Sequence, residues 1–99
     1  MTAMTNTLPR ISTTFPLGQI VMTTEALRKL DPYDVKAALL RHGWRDWGDV
    51  CAEDCRANDE ALAGGSRVFS AYHDHNGVKF WIITEADRSA TTVLLPDDY

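Results

Sequence analysis

The stretch SRVFSAYHDHNGVKFWIITEADRSATTVLLP, Ser66 to Pro96, decides the fold. It holds three runs rich in Val, Ile, Phe, Trp, Tyr and Thr, residues that suit a pleated, half-buried surface. Asn76-Gly77 separates the first two runs. That dipeptide fits a two-residue hairpin turn, because both turn positions need positive φ. The second and third runs flank Glu85 to Ser89, where Asp and Ser are ordinary turn formers. Three strands joined by two short turns make a carboxy-terminal β-meander. Glu85, Asp87 and Arg88 also have the composition of a catalytic cluster. Catalysis would need a nucleophile or second base within reach, and Ser89 is all that the local sequence supplies. The segment reads as a turn.

A two-residue turn fixes the register. It sets His75 opposite Val78, Asp74 opposite Lys79, His73 opposite Phe80, Tyr72 opposite Trp81 and Phe69 opposite Thr84. Asp74 with Lys79 is then a cross-strand ion pair, and Tyr72 with Trp81 an aromatic pair. One sheet face carries Phe69, Ala71, Phe80 and Ile82, and the other carries Val68, Tyr72, Trp81 and Ile83. Both faces are apolar, yet three short helices cover only one. The second, Val68, Tyr72, Trp81 and Ile83, is a candidate homodimer face unless the amino-terminal segment or the Trp44/Trp47 loop covers it.

Outward from this core, LGQIVMT (17–23) reads as a strand after Pro16, placed at a sheet edge. Thr23 or Thr24 caps a short helix, EALRKL, with Ala26, Leu27 and Leu30 facing inward. In DPYDVKAALLRHG, Asp31 is the N-cap, Pro32 the first helical residue and Gly43 the residue past the end. Val35, Leu39 and His42 form its stripe, widened by Ala38 and Leu40. Asp49 caps a third helix to about Ala63, stopped by Gly64-Gly65, with Cys51, Cys55 and Leu62 inward and Asn58 between them. The expectation is a single α+β domain over residues 15–99. It is an antiparallel sheet with a C-terminal β-meander and two to three short helices packed on one face. Residues 1–14, with Arg10 the one charge among them, read as a flexible N-terminal tail with a second start at Met4.

Composition bounds the function. Ninety-nine residues, 44% apolar and 24% charged, suit one ordinary globular domain. No run is apolar and long enough for a signal peptide or membrane span, so a cytoplasmic location is expected, with Cys51 and Cys55 reduced. The net charge of −4 is uneven. Six acids between Asp46 and Glu60 face Arg56 alone, a local −5, while the remaining eight acids and nine bases leave +1. Direct nucleic-acid binding is disfavoured, because phosphates want a basic face.

Three chemistries can be assembled from the side chains. Cys51, Cys55, His73 and His75 are a zinc-compatible set, but Cys-x₃-Cys inside a helix is not the tight knuckle of structural zinc sites. His42, His73 or His75 could serve as base with Cys51 or Cys55 as nucleophile, yet no elbow or oxyanion signature surrounds them. "AGGSR" lacks the lysine and the following helix of a phosphate loop. No metal, cofactor or catalytic residue is therefore assigned. The charge asymmetry favours a non-enzymatic protein-binding module. Asp46, Asp49, Glu53, Asp54, Asp59 and Glu60 would dock on a basic protein surface, with Trp44 and Trp47 as anchors.

LGQIVMTTEAL, DWGDVCAED, SAY and WIITEADRSATTVLLPDDY resemble a group of small bacterial proteins described as hypothetical or plasmid-related. The resemblance covers Phe15 to Tyr99. It implies a prokaryotic cytoplasmic protein of accessory or mobile DNA, with no functional residue to carry over. With the acidic segment, it leads to the expectation of a mobile-element protein that inhibits or modulates a restriction- or CRISPR-type nucleic-acid-processing complex.

Overall fold

In a computed structural model that describes residues 13–99, the elements run β1 (Gln19–Met22), α1 (Thr24–Lys29), α2 (Pro32–Gly43), α3 (Ala52–Gly64), β2 (Val68–His73), β3 (Lys79–Thr84) and β4 (Ala90–Leu94). A 3₁₀ turn, Pro96–Asp98, follows. The four strands form one sheet in the order β1-β4-β3-β2. β2, β3 and β4 are the antiparallel meander. β1 is an edge strand, as expected, and pairs with β4 in parallel, so the sheet is mixed and mainly antiparallel. The fold is α+β. The flexible tail proposed for residues 1–14 falls mostly outside the described residues. Of that segment, Thr14 is tied to the end of α2, its N–H and its Oγ1 both donating to the Gly43 carbonyl.

The caps explain the helix starts. Thr23 Oγ1 accepts the Ala26 N–H at 3.2 Å, and Asp31 Oδ1 accepts the Tyr33 N–H at 2.8 Å behind Pro32. Ala26 of α1 and Leu30 at its C-cap are buried, but Leu27 turns outward and is 67% exposed. On α2, Val35, Ala38 and His42 face the sheet, with Leu39 and Leu40 half-buried. Gly43 is the last residue of α2, not one past it, and Arg45 takes the left-handed position at φ 66. Gly43 instead makes room for Thr13, whose Cγ2 would lie 2.3 Å from an added Cβ. α3 starts later than Asp49 predicts. Its N-cap is Cys51, which makes no side-chain bond, while Asp49 turns its N–H to the Ala71 carbonyl and its carboxylate to His73.

The hairpin register differs from the sequence expectation by one residue. Tyr72 pairs with Phe80, Ala71 with Trp81, His73 with Lys79 and Val68 with Thr84. The cause is Asp74. Its Oδ1 accepts the N–H groups of both Asn76 and Val78, and its backbone pairs with Val78. The loop is therefore three residues long with Gly77 left-handed at φ 82, and Asn76 stays at negative φ. A one-residue slip re-sorts the faces. Val68, Ser70, Tyr72, Phe80, Ile82 and Thr84 point together under the helices, all at 2% exposure or less. The Asp74–Lys79 ion pair and the Tyr72–Trp81 aromatic pair do not form; Tyr72 stacks near Phe80 and Trp81 near Phe69.

Two apolar clusters hold the layers together. Ala26, Leu30, Val35 and Ala38 pack on Tyr72, Phe80, Ile82, Val93 and Leu95. Phe15, Trp47 and Val68 form a second cluster against Cys55 and Leu62 of α3. Side chains the size of Phe80 or Ile82 contribute about 1.5–3 kcal/mol each when fully buried. The β2 edge is closed by dedicated groups: the Trp47 carbonyl and Asp49 N–H pair with Ala71, and the Asn58 side chain bonds Phe69. Such closure protects an otherwise open edge from other strands.

Candidate functional site

The Glu85–Ser89 segment is a structural turn. Arg88 is left-handed at φ 61, and its guanidinium donates to three carbonyls: Ser66 at 2.6 Å, Glu85 at 3.0 Å and Ala61 at 3.1 Å. Ala61 lies in the last turn of α3, where the helix dipole favours a cation. Asp87 Oδ1 accepts the Ser89 N–H at 3.0 Å and shapes the turn. The arginine thus fastens the β3–β4 turn to the end of α3, with its charge spent on backbone oxygens.

The Cys/His set is not assembled. Cys51 is exposed and Cys55 half-buried, both as free thiols. His73 Nδ1 lies 2.7 Å from Asp49, and His75 Nδ1 lies 2.6 Å from Asp34. Among the described residues, one group has ligand atoms close enough to share a cation: Asp31, Asp34 and His75. Its atoms already serve the fold. Asp31 caps α2, and Asp34 Oδ2 accepts both the backbone N–H and the ring of His75. Those bonds hold the Asp34 carboxyl below the usual carboxylate range and raise the His75 imidazole. The pair clasps the hairpin tip to the start of α2.

His42 comes nearest to a catalytic arrangement, and its partners were not legible in the sequence. Its Nδ1 meets Ser70 Oγ, and its Nε2 lies 2.8 Å from Thr84 Oγ1, which lies 2.7 Å from Thr91 Oγ1. Proton counting fixes the directions. Thr91 Oγ1 donates its one proton to the Leu17 carbonyl at 2.6 Å. Thr84 must then donate to Thr91, so His42 Nε2–H donates to Thr84; burial disfavours the imidazolium, which leaves Nδ1 to accept from Ser70. The imidazole is neutral with its proton on Nε2. Burial pushes it down to about 4 from 6.5, overriding the helix C-terminal dipole that favours a cation. A serine hydroxyl aimed at an imidazole is the polarity of a hydrolase nucleophile. Here His42, Ser70, Thr84 and Thr91 are all 0% exposed, and the rings of Phe15 and Trp47 close over the imidazole at 5.5 Å. Ser70 Oγ is closed off from solvent. The network ties α2 to β2, β3, β4 and the Leu17 loop.

The acidic segment divides into two groups. Asp46 is held by Arg41 at 2.7 and 3.2 Å, which keeps its carboxyl low, and Asp49 faces His73. Glu53, Asp54, Asp59 and Glu60 are exposed on α3, and none forms an ion pair among the described residues. Trp44 is 60% exposed. Trp47, expected as a second anchor, is 4% exposed and sits in the core, its indole N–H reaching Asp59 at 3.4 Å.

The second sheet face also differs in membership. Val68 and Tyr72 lie under the helices, whereas Trp81 and Ile83 do share the outer face, with Phe69 and Ala71. Tyr99 packs edge-on against Trp81 at 5.7 Å, and Arg67 donates to the Tyr99 hydroxyl at 3.1 Å. Trp47 packs in the core with Phe15 and Val68, and the lining beside Trp81 includes neither Trp44 nor Trp47. No helix of the described residues is long and apolar enough to cross a membrane. Comparison with protein-family models, with curated proteins and with solved structures finds no match to this chain, so the functional reading stands on its geometry.

Proposed function

We propose that the chain is a non-enzymatic protein-binding module that docks through the acidic face of α3 onto a basic surface of a nucleic-acid-handling protein. The observation that carries this reading is the set Glu53, Asp54, Asp59 and Glu60, four exposed carboxylates with no ion-pair partner among the described residues. Glu53 and Asp54 stand in the first turn of α3, where the dipole favours them and Cys51 offers no side-chain cap. Asp59 and Glu60 lie beyond that turn and have no such helical reason. Exposed Trp44 supplies an aromatic anchor in the loop that also carries Trp47. A face of this sign attracts a groove built for phosphates and speeds encounter with it. A mobile-element accessory protein that blocks or modulates a defence nuclease would use such a face.

The test is affinity capture from a bacterial lysate with two baits, the wild type and the quadruple variant Glu53→Lys, Asp54→Lys, Asp59→Lys, Glu60→Lys. A basic nucleic-acid-binding protein held by the wild type, displaced by added DNA and absent from the variant supports the reading. Identical captures from both baits sink it.

A further inference from the structure

We propose that the cleft on the outer sheet face is a binding site for a small aromatic carboxylate. The cleft is open to solvent, spans about 500 Å³ and is lined by Ser66, Arg67, Phe69, Trp81, Ile83 and Tyr99. That volume lies within the range of small-molecule sites, which combine mostly apolar walls with a few placed polar groups. Three of its walls are aromatic. Phe69 stands edge-on to Trp81 at 5.1 Å, and Tyr99 edge-on to Trp81 at 5.7 Å. A planar ring entering there gains offset-stacked or edge contacts that an aliphatic chain of equal volume forfeits.

Charge selects the rest of the ligand. Arg67 makes no ion pair among the described residues; its bond is to the Tyr99 hydroxyl, with the guanidinium 5.9 Å from that ring's centre. Glu85 is near enough to act on Arg67 through space without pairing with it. Glu85, one residue past β3 and in phase with Trp81 and Ile83, is the acid on this face, and Lys79 lies two residues from Trp81 on the same side. A carboxylate meets the guanidinium fork through two parallel bonds. The Trp81 indole N–H is buried and has no hydrogen-bond partner among the described residues, so its resonance is sensitive to any change in the packing of this wall.

The experiment titrates the full chain with 2-naphthoate, with the neutral 2-naphthamide as control, following tryptophan fluorescence and the indole N–H resonances. Saturable binding of the acid should be at least about tenfold tighter than that of the amide, and about tenfold weaker in Arg67→Gln. Arg67 is exposed, so this variant keeps its fold, which circular dichroism checks. Tyr99→Phe keeps the ring and should retain binding. The α3 quadruple variant should bind 2-naphthoate unchanged, which separates this site from the acidic face. No saturation at millimolar ligand, equal affinity for acid and amide, or an acid preference that survives Arg67→Gln each overturns the proposal.

Discussion

Asn58 of α3 grips Phe69 of β2 from both sides, its amide nitrogen donating to the Phe69 carbonyl at 2.7 Å and its oxygen accepting the Phe69 N–H at 3.0 Å. A side chain here does the work of a neighbouring strand. Asn58 is 5% exposed, so its loss leaves both backbone groups without a partner. Asn58→Ala should lower stability by about 2–6 kcal/mol, at about 1–3 kcal/mol per unmatched group. Asn58→Asp should do no better at neutral pH, because a carboxylate would face the Phe69 carbonyl. Urea unfolding of both variants checks this, and light scattering should reveal association through the opened edge.

His42 sets an acid limit on the fold. Its pKa is about 4 in the folded chain against 6.5, so the unfolded chain takes up the proton first as pH falls. Its contribution is complete above pH 6.5, declines between 6.5 and about 4, and changes no further below that. The decline totals on the order of 3 kcal/mol. The His75–Asp34 clasp runs the other way near neutrality: the raised imidazole favours folding below 6.5 and loses that effect as pH rises through its folded value. Urea midpoints of wild type and His42→Gln across pH 4.5 to 7.5 should separate the two. The variant should be less stable at neutral pH and lose most of the slope.

Gly48 cannot carry a side chain. It sits at φ 75, and an added Cβ would lie 2.1 Å from the Ala71 carbonyl oxygen and 2.7 Å from the Tyr72 ring. Backbone cannot give way as a flexible side chain would. Gly48→Ala should cost about 3 kcal/mol or more, combining left-handed strain with overpacking. Gly77 has a similar φ of 82 but open space around it, so Gly77→Ala should cost only about 1 kcal/mol. Thermal melts of the pair check the contrast.

Arg88→Ala should destabilise by about 1–3 kcal/mol, since it frees the carbonyls of Ser66, Glu85 and Ala61 together. Arg88→Lys should restore little, because one ammonium does not reproduce a planar fork reaching three oxygens. Denaturant unfolding of both variants reads this. A lysine variant as stable as wild type would mean that charge at the α3 terminus suffices.

Local chemistry was legible from residue types alone. The meander, the Thr23 and Asp31 caps, Pro32 at the start of α2 and the Gly65 stop are dictated by backbone preferences that act over a few residues, and all are present. The helix start at Asp49 and the turn at Asn76-Gly77 follow the same local rules, and distant partners override them. His73 and Ala71 draw Asp49 away, and the Asp74 carboxylate gathers the turn into a longer loop. That loop shifts the register by one residue and decides which side chains are inside. Trp47 looked like a surface anchor because an aromatic residue among acids carries no mark of burial; Phe15 and Val68 bury it. The pairing of His42 with Ser70 and Thr84 spans 28 or more residues from α2 and could not be read from spacing. The same holds for the meeting of Arg67, Trp81 and Tyr99 on the outer face. The sequence by itself determined the elements and most of their ends, because turn and cap energies are local. Tertiary structure alone decided register, burial and the cleft, because those depend on which polar groups find partners across the chain.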